Sequence, residues 1–175
     1  MNLELFSERC QKAVQSALDL AQSYSHQHVT SLHLLHVVCE NPSAEILKLI
    51  ESSRVDVRDI KSTLTKELEK RPKVQGSADI FLDVGLKKVM EIAQNQAKLN
   101  GDSHVTIDVL FLSLLENSEI ADCLKLLGFS FKEPTEEDPV GCLTVEDIMK
   151  LFPGKLIHYK EQGSNYDDII IEFNE

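Results

Sequence analysis

The chain has no tryptophan, only seven glycines and five prolines, and no closely spaced cysteine pair among its 175 residues. So few helix breakers favour helices over a turn-rich all-β architecture. The four cysteines are scattered, and Cys10, Cys39 and Cys123 fall among apolar residues at helical spacing. They read as buried, reduced thiols, which implies a reducing compartment. Positive charge is also short, with 18 Lys+Arg against 29 Asp+Glu for a net charge of −11. Residues 132–175 carry 4 Lys against 11 acids, or −7 of that total. A nucleic-acid partner is not expected, because phosphates call for a basic surface. The opening "MNLELFSERCQKAVQ" has no basic segment followed by an apolar run, and no long apolar stretch follows it. The expectation is therefore no leader and no membrane partner. The compartment expected is the cytoplasm, or an organelle interior once a transit peptide has been removed.

Catalytic signatures are missing as well. There is no HExxH, no GxSxG and no phosphate loop. The nearest approach, "PGKL" at 153–156, has Met149 where such a loop needs glycine and Leu156 where it needs Ser or Thr. Neither an enzyme nor a cofactor is expected.

What the chain does have is a repetition. "HVTSLHLLHVVCEN" (28–41) returns as "HVTIDVLFLSLLEN" (104–117), and Lys12/Lys88, Ala17/Ala93 and Ala21/Ala97 keep the same offset of 76. "AEILKLI" (44–50) then matches "ADCLKLL" (121–127) at an offset of 77, with four identities in seven. Duplication of one supersecondary unit explains this. Each copy has an apolar side that it cannot bury alone, so the two must pack as a pseudo-two-fold pair.

Each unit reads as helices. Phe6, Cys10, Ala13, Val14, Ala17, Leu18 and Ala21 recur at three and four, opened by Ser7 as a cap. Thr30 and Thr106 cap the second helix of each unit, and Asp108 suits the positive end of its helix. A third helix follows Ser43, and a fourth, 56–71, ends at Pro72. The second unit repeats the plan with helices near 81–100, 106–117 and 119–127, stopped by Gly101 and Gly128. The expected fold is all-α, two duplicated four-helix units making about eight helices, with a small appendage. The boundaries are 1–75 and 76–130 for the two repeats, 131–143 for an acidic linker, and 144–175 for a tail. That tail holds a short helix (144–152) and a β-hairpin (155–173).

"MNLELFSERCQKAVQSALDLA", "HVTSLHLLHVVCEN", "KRPKVQG" and "AQNQAKLNGDSHVTIDVLFLSLLE" resemble the double Clp-N domain. That is the N-terminal domain of the Clp unfoldases and disaggregases, here closest to the ClpB branch. The resemblance covers residues 1–130, and the tail lies outside it. It implies an all-α pseudo-two-fold bundle that engages unfolded or aggregated protein segments, or adaptor proteins, and hands them to an ATP-driven ring. It also implies that Ser7 and Asp108 flank an apolar groove between the repeats. Ile92, Leu99 and Val109 then read either as wall of that groove or as second-layer core.

Two other readings stand beside this one. A free-standing regulatory or accessory subunit would dock on a Clp ATPase or protease ring. A metal-binding protein would use the cluster His26, His28, His33 and His36, where His33 and His36 share a helix face. No Cys or carboxylate is spaced to complete such a site, so the imidazoles read as satisfied or exposed.

Overall fold

The computed structural model describes residues 3–74 and 79–128, with the backbone alone of four short strands beyond. A 3-10 turn at Leu3–Leu5 precedes α1 (Glu8–Ser23), α2 (Ser31–Glu40), α3 (Ala44–Ser52) and α4 (Val57–Glu69). The second unit supplies α5 (Val84–Leu99), α6 (Ile107–Leu115) and α7 (Ser118–Lys125). The architecture is all-α, with seven α-helices among the described residues. Most of the expected linker and the expected helix at 144–152 lie outside the described residues.

Two-residue strands stitch the units together. β1 (His28–Val29) runs parallel to β2 (Phe81–Leu82), with Val29 opposite Leu82, and Phe6 forms a parallel bridge to Val105. Shift the first pair by 76 and it becomes the second, since 29 + 76 = 105 and 82 − 76 = 6. The hydrogen bonds are reciprocal too. The Asp83 N–H donates to the Val29 carbonyl at 2.9 Å, and the Ser7 N–H donates to the Val105 carbonyl at 2.9 Å. A surface patch that meets its own copy in this way has the logic of a two-fold dimer interface, here inside one chain. Further on, β3 (Ser130–Phe131) pairs parallel with β4 (Cys142–Leu143). The expected hairpin is present as β5 (Ile157–Tyr159) antiparallel to β6 (Ile169–Ile171), with His158 opposite Ile170.

The core follows the duplication. Cys10, Ala13, Val14, Ala17 and Ala21 form the buried stripe of α1. At the same offset Leu86, Val89, Met90, Ala93 and Ala97 are buried in α5. Alanines on these stripes let the outer helices lie close on α2 and α6. Those two helices are buried on nearly every side, through Leu34, Leu35 and Val38 in one and Leu110, Phe111 and Leu114 in the other. Each such side chain withdrawn from water contributes about 1.5–3 kcal/mol before ordering costs.

The register of the third helix corrects the sequence reading. Offset 77 sets Leu126 opposite Leu49, yet Leu49 is fully buried and Leu126 is 74% exposed. The buried triplet of α3, Ile46, Leu49 and Ile50, corresponds instead to Ile120, Cys123 and Leu124 in α7, an offset of 74. The caps agree, because Ser43 accepts from the Ile46 N–H and Asn117 from the Ile120 N–H. The Leu49/Leu126 identity at 77 is a match between an inner and an outer helix face.

Both first helices end alike. In α5 the Asp102 N–H reaches the Ala97 carbonyl and the Gly101 N–H that of Lys98; in α1 His26 reaches Ala21 and Ser25 reaches Gln22. This is the Schellman pattern, which requires a left-handed residue just past the cap. Gly101 takes it at φ 75 and Ser25 at φ 60. A serine there is strained, and the second copy shows the relaxed solution. Ser25→Gly is expected to stabilise the fold, and Gly101→Ser to destabilise it, by about 1 kcal/mol each. Urea midpoints at unchanged slope check both.

Candidate functional site

The starts of α1, α3 and α6 meet at one place on the seam. Ser7 caps α1 by accepting the Cys10 N–H at 3.3 Å. The thiol of Cys10 donates to the Val105 carbonyl at 3.3 Å, which ties α1 to the bridge residue just ahead of α6. Burial, opposed by its hydrogen bond with Ser7, pushes this thiol up to about 11, and the nearby Asp108 charge pushes in the same direction. Cys39 is raised to about 12 and Cys123 to about 11 by the same loss of solvent. None of the three is poised as a thiolate nucleophile.

Asp108 lies in the first turn of α6. The Ser43 hydroxyl, from the cap of α3 in the other unit, donates to its Oδ1 at 2.6 Å. Arg9, two residues beyond Ser7, donates through Nη2 to the Asn41 carbonyl at 2.9 Å, just ahead of Ser43. Ser7 and Asp108, distant in sequence, thus fall into one cluster through Cys10 and Val105. Ser43 and Arg9 belong to it as well. Only a capping signal marked Ser43 in the sequence, and nothing there linked it to Asp108, 65 residues away.

The apolar candidates separate. Val109 is 1% exposed and belongs to the core, so its side chain is not on the surface. It occupies the copy of the position held by buried His33, one helix face away from Asp108. Ile92 (37% exposed) and Leu99 (55%) lie on the outer face of α5, along with Val84 (70%). Leu3, Leu5 and Phe81 are further exposed apolar residues at the seam strands and the turn before them.

The histidines form a relay in place of a metal site. The Thr30 N–H donates to His33 Nδ1 at 3.0 Å, which leaves the proton of that ring on Nε2. His33 Nε2 therefore donates to His26 Nδ1, 2.9 Å away. Tyr24 stacks on His26, and His36 Nε2 meets the Thr65 hydroxyl at 3.1 Å. His28 is exposed beside Phe81. With both nitrogens of His33 engaged, the ring is closed to a metal. Among the described residues, no group of three His, Cys, Asp or Glu side chains could hold one. Nor is any helix there long and apolar enough to cross a membrane.

A family model described as the Clp repeat (R) N-terminal domain matches residues 5–127. The chaperone protein ClpB of Mesorhizobium japonicum is 37% identical over 170 residues, 95% of this chain and 18% of that relative. The chain thus spans less than a fifth of that relative's length. The crystal structure of the Hsp104 N-terminal domain from Candida albicans superimposes with a TM-score of 0.64 at 25% identity. The match covers 71% of this chain and 83% of that one. A ClpV N-domain, solved in complex with a VipB peptide, shares the fold at a TM-score of 0.58 and 15% identity, over 71% and 78% of the two chains. The chain belongs to the Clp repeat N-terminal domain family.

The histidine relay sets a pH dependence. Burial lowers His33 from 6.5 to about 4, aided by the charges of His26 and Arg71. A folded pKa below the unfolded one means that the unfolded chain binds the proton first. The contribution is whole above 6.5 and is lost as pH falls toward 4. At 1.36 kcal/mol per unit, His33 alone should cost about 2 kcal/mol of stability between pH 7 and pH 5. Urea titrations at both pH values should show this drop in the parent and a smaller one in His33→Gln. Equal drops would assign the acid sensitivity to other groups.

Proposed function

We propose that this Clp N-terminal domain is a non-catalytic protein-binding module that takes extended apolar segments of unfolded client or adaptor proteins on the second unit, beside the seam. One asymmetry carries the reading. On their inner stripes α1 and α5 agree in burial position by position. Outside, α1 offers Glu8, Ser16 and Ser23 to solvent, whereas α5 at the same positions offers Val84, Ile92 and Leu99. These side chains lie outside the buried core. Three apolar side chains spaced along the outer face of one helix, where the copy has polar ones, are costly to leave in water and suit a docking surface.

Ser7 and Asp108 form the polar end of this reading, and Val109 supports Asp108 from within. A ClpV N-domain of the same fold has been solved with a peptide, the class of ligand proposed here. The recipient of such segments would be a Clp ATPase or protease ring. A strip of this size, set against the cost of ordering an extended chain, implies affinity in the micromolar range or weaker.

Titration of a fluorescent, carboxymethylated and permanently unfolded protein tests the strip. Ile92→Glu with Leu99→Glu should weaken binding at least about tenfold, the loss of one well-buried aliphatic contact. Both sites are exposed, so fold stability should move by no more than about 0.5 kcal/mol. The matched pair on the polar copy, Ser16→Glu with Ser23→Glu, should leave binding unchanged. Equal effects from the two pairs would remove α5 as the docking face.

A further inference from the structure

We infer that Ser43 is a positioning residue for Asp108, by which the first repeat sets the orientation of the second repeat's carboxylate at the binding surface. The inference rests on the proposed function, since it gives Asp108 a partner-facing role. It starts from the hydrogen-bond inventory of one hydroxyl. Ser43 Oγ accepts the Ile46 N–H at 3.1 Å, as the cap of α3. That bond uses a lone pair and leaves the single hydroxyl proton, which goes to Asp108 Oδ1 at 2.6 Å. That length is at the short, strong end of the range for a hydroxyl on a carboxylate oxygen.

The serine itself has little freedom. It is buried, follows Pro42, and accepts the Leu47 N–H on its carbonyl at 2.9 Å. Arg9 grips the Asn41 carbonyl two residues earlier. The hydroxyl is therefore a fixed point built from α1 and α3 of the first repeat. Asp108, by contrast, is half-buried on the rim, at the start of a helix, where a carboxylate without a neighbour would sample several rotamers. The corresponding pair in the other half would be Leu32 with Asn117, and an apolar side chain cannot accept such a bond. The arrangement is confined to the side of the seam that holds Ser7.

The experiment measures binding of the same unfolded probe to Ser43→Gly, Ser43→Thr, Asp108→Asn and the double variant Ser43→Gly/Asp108→Asn, with thermal unfolding of each. Glycine is a tolerable helix cap, so Ser43→Gly removes the donor while leaving α3 formed. The expected result is a loss of about three- to tenfold for Ser43→Gly, the size of a coupling between contacting residues. Ser43→Thr, which keeps the hydroxyl, should bind within about twofold of the parent. The double variant should bind no more weakly than Asp108→Asn, because the serine acts only through the carboxylate. Parent-like binding by Ser43→Gly, with a loss in Asp108→Asn, would overturn the inference and leave the proposed surface standing. Independent, additive losses would overturn it too, by giving Ser43 its own contact with the ligand. No effect in Asp108→Asn would instead remove the carboxylate from the proposed function, and the inference with it.

Discussion

The fold depends on the reciprocal pairing at the seam. Each repeat begins with a segment that cannot satisfy its own backbone, and each carries after its first helix a short strand able to do so for the other. Ser7 and Asp83 are at once caps for their own helices and donors to the opposite repeat, through Val105 and Val29. Helix start and inter-repeat contact are thus one event. This explains why a helix as rich in alanine as α1, whose stripe buries little area per residue, is nonetheless fixed in place. Its first turn is held from outside the repeat, and its last by the Schellman bonds of Ser25 and His26.

Much of this was legible in the sequence because duplication supplies an internal alignment. The offset of 76 predicts the span of α5 from that of α1, and the two agree to the residue. The same offset pairs His33 with Val109, both of which the structure buries. It failed where identity and burial parted. Leucines and lysines of α3 and α7 match best at 77, but helix faces are set by which side chains leave water, and that register is 74. The pair Ser43 and Asp108 could not be read either. No periodicity joins a cap in one unit to a first-turn acid in the other; only the packing of α3 against α6 does so. Val109 remained open in the sequence because an apolar residue beside a surface acid fits core and groove alike, and one helical step of 100° decides which.

The copies also differ in an informative way. The stripes of α1 and α5 both stayed buried, whereas their outer faces diverged. Ser25 keeps a left-handed backbone that its copy gives to Gly101, so the geometry has outlasted a residue suited to it. The outer face of α5 has moved the other way, to side chains unsuited to water. Strain inside the first repeat and apolar exposure on the second are separate departures from what stability alone would favour, and only the second creates a surface that another chain could use.

Stability and recognition are therefore divided unevenly over the surface. Ile92 and Leu99 are free of the core, so their chemistry can change without disturbing the bundle. Asp108 is not free, because its carboxylate takes a hydroxyl from the cap of α3 and its charge adds to the burial that raises the thiol of Cys10. The bond from Ser43 joins the first turn of α6 to the cap of α3 across the seam. Apolar side chains suit the outer strip because they bind without directional demands, and many sequences can lie on them. A polar contact on the rim discriminates only if it is held still, and a half-buried carboxylate is held still by a donor that the fold itself has fixed. The seam between repeats provides such donors, since it is where helix starts of both copies converge, and a single copy would have no Ser43 to offer its own Asp108.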